Sequence, residues 1–215
     1  MRVFKDLNAE KARIFRITHL SNLRWILKNG LHSANSGQAD PNFVAIGNPD
    51  LIGKRAHHSL QSPGEGVLGD YVPFYFTPFS PMLLNITTGW GGITKCVNED
   101  VIILASSIWK LQEHDVPFVF SDRHAYLAAA EFFDDPARLD RIDWDILQRR
   151  DFKRDANDPG KFERYDAEAL AKDHVPVEAL LGVACFNESA RARIEADMQA
   201  TGVAIKVIVK PDWYF

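Results

Sequence analysis

Short β-prone runs are spread along this chain from near its start to its end, at residues 13–18, 71–77, 101–105, 117–120, 180–186 and 203–209. Strands so widely dispersed, with helical spacings between them, point to one mixed α/β (α+β) unit. No internal repeat or low-complexity tract divides the 215 residues, so a single domain over 1–215 is expected. The first run, RIFRIT, alternates as a half-buried strand does. Pro73 inside YVPFYFT removes a ladder donor and predicts an edge or a bulge.

Helices are expected where spacing and caps agree. Ser21 fits an N-cap, with Leu20 and Trp25 placed to staple the first turn, Leu23, Ile26 and Leu27 on one face, and Gly30 at the end. Residues 124–133 read as a helix stopped by Asp134, Asp135 and Pro136. Asn187 caps a helix carrying Ile194 and Met198, closed by Gly202. TGWGG at 88–92 is a turn. Residues 31–69 are rich in Gly, Ser, Pro, Asn and Asp, interrupted by an apolar patch at 43–46 and a helical turn around 51–58. A connection of that length is either a functional lid or a surface insertion.

Charge limits the function. A net charge of −4 and a pI near 6.0 argue against a dedicated duplex binder, which is usually basic overall. A local groove that touches a strand briefly is compatible with them. Basic residues concentrate at 149–164, where Arg149, Arg150, Lys153, Arg154, Lys161 and Arg164 outnumber four acids. Cys96 and Cys185 lie far apart in apolar surroundings, which predicts buried free thiols and no zinc knuckle. The N-terminal MRVFKDLNAEKARIF is charged and lacks an apolar core, and no apolar stretch is long enough to span a bilayer; a cytoplasmic protein is expected.

The chain has no GxGxxG after a strand, no GxxxxGK[ST], no HExxH and no GxSxG, so a Rossmann-type cofactor site and a metalloprotease site are not expected. Ser, Asp and His in SDRH are too close in sequence to form a triad. The polar residues that stand out flank β-runs: His19 with Asn22 one turn later, Arg55 in the long loop, His124 after a strand and Glu168 in RYDAEALAK. Singly, each has a plain structural reading. His19 serves as a cap, Arg55 is solvated, Glu168 is a helix surface residue paired with Lys172, and the 149–164 stretch is a solvated loop.

Together, the segments RITHLSNLRWILKNGL, IGNPDLIGKR, YVPFYFTPFSPML, SDRHAYL and RYDAEALAKDHVP resemble, in order, the DarT family of NAD-dependent DNA ADP-ribosyltransferase toxins. The resemblance spans nearly the whole chain. Phe79 in TPFSPM is a departure, since that family more often has Arg there. The resemblance implies an ADP-ribosyltransferase-like fold with two small packed sheets and an NAD cleft between them. His19 and Asn22 would hold the adenosine or ribose side of NAD, Arg55 the diphosphate or reacting centre, and Tyr71 and Tyr75 the nicotinamide half. His124 and Glu168 would flank the reacting ribose and incoming base. Arg149, Arg150, Phe152, Lys153 and Arg154 would contact the substrate strand, with Phe152 or Trp144 stacking on a base. Glu168 would stabilise positive charge on the ribose carbon and serve as general base, with His124 positioning or relaying. No metal is implied. The partners implied are single-stranded DNA and a macrodomain antitoxin, the protein acting as a monomer. Thymine is favoured over guanine as the target. Two other readings remain, an NAD-dependent RNA 2′-phosphotransferase-like enzyme and a non-catalytic single-strand binding module.

Overall fold

A strand buried on both faces reads as an unbroken apolar run, and VIIL at 101–104 is one: all four side chains are fully buried. The computed structural model describes residues 4–215, so the first three residues of the charged N-terminal stretch lie outside it. The chain runs β1 (Arg13–His19), α1 (Leu23–Asn29), β2 (Leu31–His32), α2 (Pro49–Arg55), β3 (Tyr71–Tyr75), α3 (Pro81–Thr88) and β4 (Val101–Ser107). It continues through α4 (Ile108–Glu113), β5 (Phe118–Ser121), β6 (Phe132–Phe133), α5 (Trp144–Arg149), α6 (Lys161–Tyr165) and β7 (Glu168–Lys172). It ends with β8 (His174–Val175), β9 (Gly182–Cys185), α7 (Glu188–Thr201) and β10 (Val207–Val209).

Eight strands form one sheet in the order β10-β9-β4-β1-β3-β7-β5-β6, and β2 with β8 makes a separate two-stranded ribbon. The mixed α/β class is as expected, but the two small sheets are halves of one ladder. β1 pairs with β4 over its whole length, and β3 pairs with β7 over its whole length, whereas β1 and β3 meet only at Phe15↔Tyr75. A single rung therefore joins two four-stranded halves. Pro73 faces that gap: the predicted edge is an internal one.

α1 buries Leu23, Ile26 and Leu27 and packs against α7, which buries Ala190 and Ile194. Full burial of each large aliphatic side chain is worth roughly 1.5–3 kcal/mol. Asn187 caps α7 by accepting from the Ala190 N–H, and Gly202 ends it at φ 71°, as the sequence predicts. The start of α1 differs. A 3₁₀ turn at Leu20–Asn22 precedes it, and its cap is His19, whose Nδ1 accepts from the Ser21 N–H.

Residues 124–131 are turns rather than a helix. The Ala125 N–H is committed to Glu168 and the Glu131 N–H to Asp122, and the chain then extends as β6, where Phe133 pairs opposite Phe120. Pairing of aromatic strand residues outweighs the helical preference of the Ala-rich run. The 149–164 stretch also has more structure than expected, being framed by α5 and α6. Both cysteines are free, and no helix of the described residues is long and apolar enough to cross a membrane.

Candidate active site

Beyond the Phe15↔Tyr75 rung, β1 and β3 separate, and a cavity of about 370 Å³ occupies the split. β1 contributes Arg16 and Thr18, β3 Tyr75, the long loop Val44 and Arg55, and the other half-sheet His124, Asp166 and Glu168. A larger cavity of about 510 Å³ lies beside β9 and β10, lined by Arg13, Phe15, Phe79 and Trp213 among others, and contains none of the predicted site residues. The split, which gathers Arg55, His124 and Glu168, is the candidate site.

Glu168 is the first residue of β7, opposite Tyr75 in the β3–β7 ladder. Placement on a central strand leaves it only 2% exposed, so the helix-surface reading fails, and Lys172 pairs instead with Glu65 at 3.3 Å. Its carboxylate accepts two bonds from Arg55, Nη1 at 3.0 Å and Nη2 at 2.7 Å, and a third from the Ala125 N–H at 3.0 Å. His124 Nδ1 stands 3.7 Å from Oε1. Burial by itself would raise the carboxyl's pKa. The Arg55 charge, the neighbouring His124 ring and the three donated bonds outweigh it, and the group is held below its ordinary value. Glu168 is thus a buried, fully solvated-by-protein anion.

Arg55 arrives on the last turn of α2. Asn48 caps that helix by accepting from the Leu51 N–H, Pro49 sets its first turn, and none of its residues is buried. The helix is held by its flanks. Asn22, itself buried, fixes Val44 by donating Nδ2–H to its carbonyl at 3.0 Å and accepting its N–H at 2.8 Å. Asn35 ties Ala56 and Asp70 together, with Nδ2 donating to the Ala56 carbonyl and to Asp70 Oδ1. Gly69 makes this approach possible, because a Cβ there would sit 2.8 Å from Ala56 Cα. The 31–69 segment is therefore a pinned cover rather than a loose insertion.

Of the other predicted residues, Tyr75 lines the cavity, with its hydroxyl pushed above its ordinary range by burial. Asn22 acts through Val44. His19 is the cap described above, bonded to Ser21 Oγ at 2.7 Å, and is not among the cavity's lining residues. Tyr71 is also outside the lining; its hydroxyl donates to the Glu65 carbonyl at 2.9 Å and so fastens the loop. In the basic stretch, Arg149 pairs with Asp145, and Arg150 lies 3.7 Å over the Phe79 ring. Phe152 packs on Tyr165 and Phe215, and Trp144 on Phe76 with its Nε1–H given to Leu139. Both rings are half-buried and pack against the core. Lys153 and Arg154 are exposed, and Arg154 lies 4.7 Å over Phe162, which lines the cavity. Phe79 is fully buried away from the split, so its departure from the family pattern removes nothing from the cavity.

The sequence reading missed Arg16, Asp166 and Phe162. Arg16 donates Nη1–H to the Pro73 carbonyl across the split, while its Nε is buried without a partner and desolvation lowers its pKa to about 10. A charged residue inside an apolar β-run was the available signal. An orphaned, buried guanidinium N–H fits an anionic or hydroxyl-bearing ligand such as NAD. Among the described residues no group of His, Cys, Asp and Glu could hold a metal ion.

The family model described as "ssDNA thymidine ADP-ribosyltransferase, DarT" matches residues 15–215. A protein of Escherichia coli O127:H6 (strain E2348/69 / EPEC), named DNA ADP-ribosyl transferase, is 50% identical over 210 residues, covering 98% of this chain and 96% of its own. The solved structure of Thermus sp. 2.9 DarT in complex with ADP-ribosylated ssDNA superposes with a TM-score of 0.85 at 31% identity, over 96% of this chain and 97% of that one. The same Thermus protein in complex with NAD+ gives a TM-score of 0.81 over 96% and 98%. With a buried carboxylate clamped by an arginine in a split sheet, and matches of this extent, the chain belongs to the DarT family of ssDNA ADP-ribosyltransferases.

Proposed function

We propose that this chain transfers ADP-ribose from NAD+ to thymine bases of single-stranded DNA, releasing nicotinamide. The observation that carries the reading is the buried Arg55–Glu168 pair in the cavity between the half-sheets, 2.7 Å at its closest. Loss of nicotinamide builds positive charge on the ribose carbon, and an ionised carboxylate held in a low-dielectric cavity stabilises that charge as it forms. Glu168 meets both conditions. Arg55 keeps it ionised and offers the guanidinium face to the NAD diphosphate. Arg16 and Thr18 supply polar groups on the β1 wall, while Val44, fixed by Asn22, supplies apolar surface.

The target base reaches the cavity from the α6 side, where Phe162 offers a ring and Lys153 and Arg154 offer charge to the strand backbone. A base stacked in a duplex could not enter, so single strands are the substrate. Most of the basic stretch is neutralised internally, with Lys161 on Asp151 and Arg164 on Asp143 and Asp158. The contact with DNA is therefore local and transient, in keeping with the acidic net charge. The same reading makes the protein a monomeric toxin of the cytoplasm, restrained by a macrodomain antitoxin that removes the ADP-ribose. Incubation with NAD+ and a pool of oligonucleotides, read by mass spectrometry, tests the proposal. It expects an ADP-ribose mass on thymine-containing strands, and no added mass on any strand would overturn it.

A further inference from the structure

We propose that Asp166 is the proton acceptor of the transfer, its carboxylate taking the ring N–H proton of the target base as that nitrogen attacks the ribose. The inference rests on the function proposed above. Four side chains lining the cavity could be asked to take that proton: Glu168, His124, Tyr75 and Asp166. Both Glu168 oxygens are already held by Arg55, and one also accepts from Ala125. His124 Nδ1 accepts the Tyr126 N–H at 3.2 Å, so the neutral ring carries its proton on Nε2 and its free nitrogen is a donor. Tyr75 stays protonated in its buried position.

Asp166 differs from all three. It is 8% exposed, and among the described residues no group donates a hydrogen bond to its carboxyl. It sits between the C-terminal end of α6 and Glu168, on the side from which the base would enter, with Phe162 in the same wall. The ionisable groups facing it are Glu168 on β7, Glu163 and Tyr165 on α6, and Tyr75 on β3, with Arg55 and His124 elsewhere in the cavity. Burial first, and then the charges of Glu168 and Glu163, push its pKa up to about 8. Its neighbour Glu168 is pushed the other way. Two carboxyls with separated pKa values divide the work, one remaining an anion beside the developing cation and the other exchanging a proton. A base of this strength suits an imide N–H far better than a depressed carboxylate does.

The step balances. The base nitrogen's lone pair forms the new bond to the ribose carbon, and the ribose–nicotinamide bond breaks with its electron pair neutralising the pyridinium. The N–H proton passes to the Asp166 carboxylate, leaving a carboxylic acid, an uncharged nicotinamide and a neutral linkage.

The test compares wild type with Asp166→Asn on two oligonucleotides, identical except that one carries 5-fluorouracil, whose ring N–H is more acidic, in place of the target thymine. On thymine the variant should be slower by ~10²-fold or more, and on 5-fluorouracil much of that loss should disappear. The variant's NAD+ affinity, measured by calorimetry, should stay within a few-fold of wild type, and Asp166→Glu should retain more activity than Asp166→Asn. Transfer by wild type should rise with pH to a plateau above about 8, whereas the Asn variant's rate should keep rising. Near-wild-type transfer by Asp166→Asn on thymine, or an equal loss on both oligonucleotides, would overturn the assignment. Wild type that modifies neither strand would instead sink the proposed function itself.

Discussion

Arg55 and Glu168, 113 positions apart in sequence, meet through two hydrogen bonds at 3.0 and 2.7 Å in the split between half-sheets. The pair joins a helix with no buried residue to the least exposed carboxylate among the described residues. It is at once the proposed centre of the chemistry and the anchor of the cover. Replacing Glu168 by Gln should lower transfer by roughly 10²- to 10³-fold with NAD+ binding largely retained. Steady-state kinetics and calorimetry on the same preparation check both.

Truncation of that carboxylate should also affect stability. Glu168→Ala leaves a mostly buried guanidinium without its partner, at a cost of about 3 kcal/mol. The double variant Glu168→Ala, Arg55→Met should recover much of it, because the unpaired charge is then gone. Because Glu168's folded pKa lies below its ordinary 4.5, its contribution is fully present above that pH and is lost as pH falls through the lower folded value. Urea titrations at pH 7 and pH 3.5 should show the single variant's deficit shrinking at the acid end.

Asp166 has the opposite dependence. Its folded pKa of about 8 lies above its ordinary 3.8, so the folded state holds a proton that the unfolded chain releases between those values. Stability from this group therefore falls as pH rises from 3.8 to 8. Asp166→Asn should melt a few degrees above wild type at pH 8, the difference closing near pH 4. Scanning calorimetry across that range measures it.

Asn22→Ala removes both bonds to Val44 and a third to Thr18 Oγ1. Loss of the two part-buried bonds to the Val44 backbone should cost about 1–3 kcal/mol. The KM for NAD+ should rise more than kcat falls, and protease nicking within 35–66 should increase. In wild type the same nicking should decrease on adding NAD+.

The basic stretch should separate into two kinds of residue. Arg150, stacked 3.7 Å over Phe79, is a structural cation, and Arg150→Ala should cost about 1 kcal/mol with little change in KM for oligonucleotide. Lys153→Ala with Arg154→Ala should leave the melting temperature alone and raise that KM, more at low salt than at high salt.

Local signals carried the fold where local chemistry decides it. The alternation of RIFRIT, the apolar run of β4, and the Asn187 and Gly202 caps of α7 each act within a few residues, and the strand and helix ends fall where those residues put them. Residues 124–131 mislead for the converse reason: their backbone donors are claimed by Glu168 and Asp122, partners that no local window contains. The same holds for the site. Arg55, His124 and Glu168 were legible through the resemblance, and the structure brings all three together. His19 and Tyr71 serve as a cap and a loop tether outside the cavity lining, roles that look the same in sequence as a ligand contact. Asp166 gave no signal at all. Its distinction is the absence of a hydrogen-bond donor on a buried carboxyl, which only packing reveals.

The lone Phe15↔Tyr75 rung has a wider bearing. Past it, no ladder pair joins the facing rims of β1 and β3, so their peptide groups are not spent on each other and part of the grip on a bound nucleotide can come from main chain that substitution does not alter. A protein built this way can exchange most of its side chains over evolutionary time and still hold the same molecule in the same fissure.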